Sequence, residues 1–358
     1  MSERHTTTIL RAIDLFCGAG GLTLGLREAG IETVCAVDFE PYRLATFASH
    51  SPNTDIKNAD IRTLDFKKYR GCVDLVYGGP PCQPFSSGGL RAAADDERDM
   101  LPEYLRVVQE VKPRAFLMEN VPGLTVGERS KYLARVLSQF EELGYKVAWK
   151  ILNAAEFGVP QKRRRLFVVG IRDRKFRFPL PTHGRGRQPF VGVGAVLSRT
   201  VVGAPNPSKV IYAKNPDLRP SPYDGHLFNG GGRPIDLTQP CHTILASAGG
   251  NKTHFIDADS LVPEYHSHLV RGGKPRKGTL PGGRRLTVEE SALIQTFPAD
   301  LKFNGPRSAQ YHQVGDAVPP KLGAILGQSL VMQLQEKVVG TLLDSTHEPI
   351  ARQQELWG

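Results

Sequence analysis

The first half of the chain alternates short runs of β-branched and apolar residues with amphipathic stretches. This alternation predicts βαβ units around a mostly parallel sheet, and therefore the α/β class. The predicted strands cover residues 12–16, 33–37, 73–77, 115–119, 146–152 and 166–171. The predicted helices, where apolar residues recur at helical spacing, cover residues 22–28, 41–49, 101–110 and 131–143.

The composition changes between about residues 179 and 283, where Pro, Gly, Asn and Arg dominate. We predict short strands there, for example at 243–247, and no long helix. Thr287 and Glu290 then form a capping box for a helix through Ile294, and a last helix from Lys321 to about residue 338 returns to the sheet. The expected organisation is a large domain (1–178 with 286–340), a smaller loop-rich domain (179–285) and a flexible tail (344–358).

Charge and cysteine content limit the partners. Lys and Arg outnumber Asp and Glu by 46 to 36, a net charge of +10, which favours a polyanionic partner. The five cysteines are odd in number and widely spaced, so the sequence predicts neither a disulfide framework nor a metal site. Since no segment approaches the roughly 18 apolar residues that span a bilayer, we expect a soluble, cytoplasmic protein without a membrane partner.

A glycine-rich turn, DLFCGAGG at 14–21, follows the first strand and opens a helix. Gly18 and Gly20 would let the backbone approach a ligand near the positive helix end. Thr23 stands where a dinucleotide fingerprint has its third glycine, so a plain tight turn is the alternative.

Three residues farther along the chain favour the prediction of a nucleoside-binding pocket. Asp38 ends the second strand 20 residues after Gly18, where an acid accepts hydrogen bonds from ribose hydroxyls. Phe39 is expected to stack on adenine, and Asp60 to accept from the adenine amino group. Singly, each could equally be a solvated acid or a core aromatic.

Chemistry is concentrated in three further segments. GGPPCQPFSSGG (78–89) places Cys82 between prolines just beyond a strand, where open α/β sheets hold ligands. Glu119 lies at the end of another strand, on the same edge. PQKRRRLF (160–167) begins the stretch 162–187, which has ten Lys or Arg and one acid, Asp173. The alternatives are an inert cysteine, a capping glutamate and a solvated basic surface.

From Asp14 to about Leu322 these motifs resemble, in order and spacing, the bacterial C5-cytosine-specific DNA methyltransferases of restriction-modification systems. The resemblance rests on DLFCGAGG, Asp38, Asp60, GGPPCQPFS, ENVPG, QKRRRLF, RRLTVEESALIQTFP and YHQVGDAVPP. It implies a Rossmann-like S-adenosylmethionine-dependent methyltransferase sheet with a smaller, loop-rich target recognition domain. It also implies methyl transfer to carbon 5 of a cytosine that is flipped out of duplex DNA. This methylation would protect host DNA.

The resemblance assigns roles to particular residues. Cys82 becomes the nucleophile, Glu119 the partner of cytosine N3, and Arg163 and Arg165 the cations around the base. The cofactor contacts would be Phe16, Gly18, Gly20, Asp38, Phe39, Asp60, Pro80, Asp316 and Ala317. Asp316 departs from the pattern, because many relatives have Asn there.

DNA contacts are predicted in both domains. Ser86 and Arg98 belong to the polar segment 86–98, which we expect to close on DNA as a lid. Base-reading candidates in the small domain are Arg185, Arg187, Asn229, Arg233, Asn251, Lys252 and His254, and phosphate-binding candidates, with no acid nearby in the sequence, are Arg271, Lys274, Arg276 and Lys277. Thr243 is expected to act through loop geometry.

The chemistry explains why these residue types occur together. Carbon 5 of cytosine is too weak a nucleophile to take a methyl group unaided, so a thiolate must first add to carbon 6. Glu119 would then act at N3 as charge builds on the ring, and the base must leave the stack. We expect double-stranded DNA as substrate and a monomeric enzyme. A restriction endonuclease acting on the same site, without a stable complex, is a further partner that the resemblance allows.

Three other functions are weighed against this one. A tRNA methyltransferase of the same fold shares PPCQPF and ENV, but it is disfavoured by QKRRR, by the missing Cys-Phe-Thr tripeptide and by the long small domain. A nicotinamide-dependent oxidoreductase would explain Gly18, Gly20 and Asp38 and would leave Cys82 and Glu119 without purpose. A DNA-binding module without catalysis is disfavoured by the intact nucleophile.

Overall fold

The computed structural model describes residues 9–81, 99–198 and 200–335. Cys82, Ser86, Arg98 and the predicted tail at 344–358 lie outside the described residues. Seven strands form the main sheet, in the order β3-β2-β1-β4-β5-β8-β6. Their bounds are β1 Leu10–Leu15, β2 Ile31–Asp38, β3 Asp55–Asn58, β4 Leu75–Gly78, β5 Ala115–Asn120, β6 Lys146–Asn153 and β8 Arg164–Ile171; β7, Gln161–Lys162, lies outside this sheet.

The sheet is parallel from β3 to β5, and β8 runs antiparallel to both β5 and β6. Leu15 pairs with Val37 on one side and with Gly78 on the other. Gly78 in turn pairs with Met118 of β5. The carboxyl ends of β1, β2, β4 and β5 therefore meet at one edge, as the sequence predicts.

Helices cover both faces of the sheet. The bounds of those in the first half, each within three residues of the predicted bounds at either end, are α1 Gly21–Glu28, α2 Pro41–His50, α3 Leu101–Val111 and α4 Glu128–Glu142. On α3 the buried residues Leu101, Tyr104, Val107, Val108 and Val111 recur at helical spacing and pack on one face of the sheet.

The opposite face is covered by α1 and by the last described helix, α8 (Pro320–Gln335). Gly25 lets the two helices approach closely, since a Cβ at this position would lie 2.2 Å from the carbonyl oxygen of Pro320. Leu322, Leu326 and Leu330 share a core with strands β1, β4 and β5. None of the helices within the described ranges is both long and apolar enough to cross a membrane.

The second half contains short strands and three more helices. Their bounds are β9 Tyr212–Asp217, β10 His226–Phe228, β11 Pro234–Ile235, β12 Cys241–His242, β13 Phe255–Asp257, β14 Gly283–Arg285, α5 Leu261–Val270, α6 Val288–Ile294 and α7 Arg307–Asp316. The capping box that opens α6 is confirmed: Thr287 Oγ1 accepts from the Glu290 amide and Glu290 Oε2 from the Thr287 amide, both at 3.0 Å.

One prediction for this region, the strand at 243–247, is wrong. Residues 243–247 do not form a strand, because side chains take the backbone groups that a ladder would use: Gln161 Oε1 accepts from the Ile244 amide at 2.8 Å, and His254 Nε2 lies 3.2 Å from the carbonyl oxygen of Thr243. The region also contains α5, a ten-residue helix. Its buried residues Val262, Tyr265 and Leu269 give it an apolar side despite the proline in its first turn.

Candidate active site

A cavity of about 1060 Å³ opens at the carboxyl edge of the sheet. Its walls come from the ends of β1, β2, β4 and β5, from the end of α7 and from the loop after β12. The predicted site residues on its lining are Phe16, Gly18, Asp38, Phe39, Asp60, Pro80, Glu119, Arg165, Thr243, Asp316 and Ala317. Two separately predicted sets, nucleoside-binding and catalytic, therefore share one cavity.

Asp38 organises the nucleoside side of the cavity. Its side chain is buried, Oδ2 accepts from the Gly18 amide and Oδ1 from the Glu40 amide, both at 2.9 Å. Each carboxylate oxygen keeps a second lone pair for a ligand hydroxyl. Phe39 follows with 70% of its surface exposed, as an aromatic platform at the cavity edge.

The turn before α1 is shaped by left-handed backbone. Phe16 and Gly18 have φ of 59° and 56°, and a Cβ at Gly18 would meet nothing within 4 Å. Gly20 differs, because a Cβ there would lie 2.6 Å from the imidazole of His50, whose Nε2 lies 2.8 Å from the Ala19 carbonyl oxygen. Gly20 does not itself line the cavity, although its neighbours Ala19 and Gly21 do, and its cofactor contact stays a prediction.

Asp60 lies farther along the same wall. It caps a short 3-10 turn by accepting from the Arg62 amide at 3.0 Å, and it holds the Arg62 guanidinium in an ion pair at 2.5 Å. Its carboxylate is thus directed by Arg62, which also lines the cavity.

Glu119 and Arg165 form the catalytic side. Arg165 Nε lies 3.0 Å from Glu119 Oε1, and the side chains are 16% and 12% exposed. Burial raises the pKa of Glu119 above its ordinary value, although the nearby Arg165 and Arg163 cations act in the opposite direction. A raised pKa favours the protonated form, which is the form that donates a proton to a substrate.

The segment leading to Cys82 is held beside Glu119. A Cβ at Gly79 would lie 3.0 Å from Glu119 Oε2, so a larger residue would press on the carboxylate. Asn120 Nδ2 donates to the Pro80 carbonyl oxygen, and the Met100 amide donates to that of Pro81, both at 3.0 Å. Pro80 and Pro81, the last described residues before Cys82, both line the cavity.

The model of the family "C-5 cytosine-specific DNA methylase" matches residues 10–188 and 242–332 of this chain. The chain belongs to that family. The methylase therefore transfers a methyl group to carbon 5 of cytosine in DNA, and the methyl donor of this family is S-adenosylmethionine.

Known relatives cover nearly the whole methylase. The type II methyltransferase M1.HphI of Haemophilus parahaemolyticus is 36% identical over 334 residues, which span 90% of this chain and 87% of that protein. M.NgoMIV of Neisseria gonorrhoeae, also a type II methyltransferase, is 31% identical over 336 residues, spanning 91% and 98%.

Solved structures show the same fold at lower identity. A putative DNA modification methyltransferase encoded within an E. coli prophage has a TM-score of 0.62 and 21% identity, covering 91% of this chain and 100% of that one. The Dnmt2 methyltransferase of S. pombe has a TM-score of 0.67 and 19% identity, covering 91% and 99%.

The cavity of the methylase fits S-adenosylmethionine. It is as large as the larger known cofactor sites, and it combines a buried acid at Asp38 with the exposed ring of Phe39. Gln313 also lines it, and its buried Oε1 has no hydrogen-bond partner within the described residues. Asp38, Phe39 and Asp60 would hold the nucleoside, and Asp316 and Ala317 line the same cavity.

Arg163 lies behind the cavity lining. Its guanidinium is fully buried and donates to the carbonyl oxygens of Ile244 and Asp316, both at 3.1 Å, and it does not line the cavity. Burial lowers its pKa to about 9, and its charge acts on both Glu119 and Arg165. Arg163 thus joins the loop after β12 to the end of α7, and its role as a cation around the base stays a prediction.

A buried polar chain behind the cavity was missed by sequence reasoning. Thr23 Oγ1 donates to Asp14 Oδ2 at 2.5 Å and lies 2.9 Å from Tyr77 Oη, which lies 2.6 Å from Thr33 Oγ1. Burial raises the pKa of Asp14 to about 8. The signal was Thr23 in place of a fingerprint glycine, because a hydroxyl there can bond the strand.

The predicted DNA contacts differ in their exposure. Seven of them are exposed: Arg185, Arg187, Asn251, Lys252, Arg271, Lys274 and Lys277. Thr243 lines the cavity, and its hydroxyl donates to the Lys162 carbonyl oxygen at 2.8 Å, which ties the loop to β7.

Three predicted DNA contacts have internal partners. Asn229 Oδ1 accepts from the Ile211 amide and from Arg285, and the Arg233 guanidinium donates to the Asp224 carbonyl oxygen. His254 is buried with both ring nitrogens bonded, and burial lowers its pKa to about 4. These residues hold neighbouring segments of residues 211–285 together, and their role in reading bases stays a prediction.

Proposed function

We propose that the methylase modifies a cytosine flipped out of duplex DNA through a covalent adduct with Cys82. The observation that carries this proposal is the Glu119–Arg165 pair, which lies in the same cavity as Asp38 and Phe39 and beside the Pro80–Pro81 segment that leads to Cys82. A nucleophile, a proton donor and a methyl donor can thus act on one base.

The proposed mechanism uses the chain's own groups in order. The Cys82 thiolate adds to carbon 6, while Glu119, whose pKa is raised by burial, donates a proton at N3. Arg165 fixes the orientation of Glu119 and offsets negative charge on the ring. The bound cofactor supplies the methyl group to carbon 5. Glu119 then takes back the N3 proton, and loss of the carbon 5 proton to solvent expels the Cys82 thiolate and restores the ring.

Trapping with modified DNA tests this proposal. A duplex with 5-fluorocytosine at the target position should form a stable adduct with the protein in the presence of S-adenosylmethionine, because fluorine cannot leave as a proton does. Cys82→Ala should abolish adduct and methylation. Cys72→Ala, which removes an exposed cysteine elsewhere, is the matched control. Normal turnover by Cys82→Ala would overturn the mechanism.

Sequence recognition is assigned to residues 179–285. The family model leaves residues 189–241 unmatched, and these fall within that segment. Exposed Arg, Lys and Asn side chains supply the groups that read base edges. Exchanging residues 182–283 for those of a relative should change the methylated site and leave Cys82 chemistry intact. Chimaeras that fold and still methylate the original site would contradict the assignment.

The biological role follows the names of the relatives. They are type II methyltransferases, and we infer that this one likewise protects cytoplasmic host DNA against an endonuclease of the same specificity. The methylase would act as a monomer, without a stable complex with that endonuclease. Resistance of DNA from expressing cells to type II endonucleases, combined with bisulfite sequencing, tests this role.

A further inference from the structure

Among the described residues, three ion pairs have both members on the cavity lining: Asp60–Arg62, Glu119–Arg165 and Arg43–Asp316. The first lies within one turn of chain, and the second belongs to the catalytic side. The third joins α2 to the last residue of α7, where Arg43 Nη2 lies 2.5 Å from Asp316 Oδ2. No role in the proposed mechanism accounts for Arg43.

Fold stability does not explain this pair well. The side chains of Arg43 and Asp316 are 27% and 40% exposed, and ion pairs that water reaches contribute little to stability. A carboxylate at the last residue of a helix is also disfavoured by the helix dipole. The backbone carbonyl of Asp316 is already held by Arg163, so the side-chain pair is not needed to fix that residue.

The pair lies on the lining of the cavity that also holds the predicted nucleoside and catalytic residues. Asp316 is close enough to Glu119 to contribute to its raised pKa. Arg43 acts electrostatically on Cys17, which lines the cavity beside Gly18. The pair is therefore within reach of a ligand that fills this cavity.

The ligand chemistry matches a paired cation and anion. The amino-acid end of S-adenosylmethionine is a zwitterion, with an α-carboxylate and an α-ammonium group on one carbon. Arginine binds carboxylates through two parallel N–H groups, and a carboxylate accepts from an ammonium group. Exchange of the internal pair for two pairs with the ligand leaves the charge of the site unchanged.

We propose that Arg43 binds the α-carboxylate of S-adenosylmethionine and that Asp316 accepts from its α-ammonium group. This inference rests on the proposed function, since it concerns the same cofactor. The pair closes on itself without the cofactor and opens to hold the amino-acid end. Arg43 is thereby a cofactor-binding residue that discriminates between ligands with and without the carboxylate.

Calorimetry with two ligands tests the inference. S-adenosylmethionine and its decarboxylated analogue, which lacks only the α-carboxylate, are titrated into the unaltered protein and into Arg43→Met. The substitution should weaken S-adenosylmethionine about tenfold or more and change the affinity for the analogue less than about twofold. Asp316→Asn, titrated with an analogue that lacks the α-amino group, is the reciprocal measurement and should show the same selectivity.

Arg62→Met is the matched control, because Arg62 is also a cavity arginine paired with an acid. It should affect both ligands equally. An equal loss of both ligands in Arg43→Met, or no loss, would overturn the inference and leave the proposed function standing. Failure of the unaltered protein to bind S-adenosylmethionine would overturn both.

Discussion

Arg165 Nε lies 3.0 Å from Glu119 Oε1, and the pair joins the carboxyl end of β5 to the antiparallel strand β8. The contact fixes the carboxyl group beside Gly79, three residues before the nucleophile. Burial and this cation oppose each other, and burial prevails in raising the pKa of Glu119. The site thus holds an oriented acid that can still be protonated.

Glu119→Gln should lower kcat by about 10²- to 10⁴-fold, because the amide cannot donate a proton to N3. The Kd for S-adenosylmethionine should change less than about twofold, since Glu119 acts on the base. Activity of the unaltered enzyme should fall as pH rises through the raised pKa, where Glu119 loses its proton. Glu128→Gln, an exposed acid paired with Lys131, is the control. A comparable loss in cofactor affinity would contradict the assigned role.

Asp38→Ala should have the opposite effect. It removes the acceptor of the Gly18 and Glu40 amides, so the nucleoside side lacks both its acceptor for the ligand and its loop geometry. We expect the Kd for S-adenosylmethionine to rise about tenfold or more by calorimetry. Asp65→Ala, which removes an exposed acid that accepts from the Lys67 amide at 2.8 Å, should leave it unchanged. Unchanged binding in Asp38→Ala would show that the ribose lies elsewhere.

Local features of the fold and site were predictable from sequence. The capping box of Thr287 and Glu290 depends on three residues of separation, and the shared edge of β1, β2, β4 and β5 follows from parallel pairing. The features that could not be predicted from the sequence depend on contacts between residues that are far apart in the chain. Arg163 is buried because β7 pairs with β12, about 80 residues later, and Arg43 meets Asp316 across 273 residues. Patterns of residue spacing within a helix or strand carry no information about contacts over such distances in the chain.

Asp14→Asn should change how stability depends on pH. The pKa of Asp14 is raised from 3.8 to about 8 in the fold, so folded protein retains a proton that unfolded protein releases between these values. The stability of the unaltered protein, relative to Asp14→Asn, should therefore decrease as pH rises from about 4 to about 8. Urea unfolding at pH 5, 6.5 and 8 measures this. If the free energy of unfolding depended on pH in the same way for both proteins, Asp14 would be ionised in the folded protein.

The last prediction concerns phosphate binding by the small domain. Arg271 and Lys274 are exposed in a glycine-rich segment after α5. Their neighbour Arg276 pairs with Glu264 at 3.0 Å, and its charge is therefore partly offset within the protein. We expect the first two to bind phosphates and Arg276 to contribute less.

Arg271→Gln with Lys274→Gln should weaken binding to all duplexes alike, because phosphate binding carries no sequence information. The slope of log K against log salt should flatten by about 0.9 for each phosphate that the protein no longer neutralises. Titrations between about 50 and 200 mM salt, on one duplex that contains the target sequence and one that does not, give both slopes. Arg276→Gln is the matched control and should change them less. If only the duplex with the methylated site bound more weakly, Arg271 and Lys274 would read bases, and the phosphate assignment would be wrong.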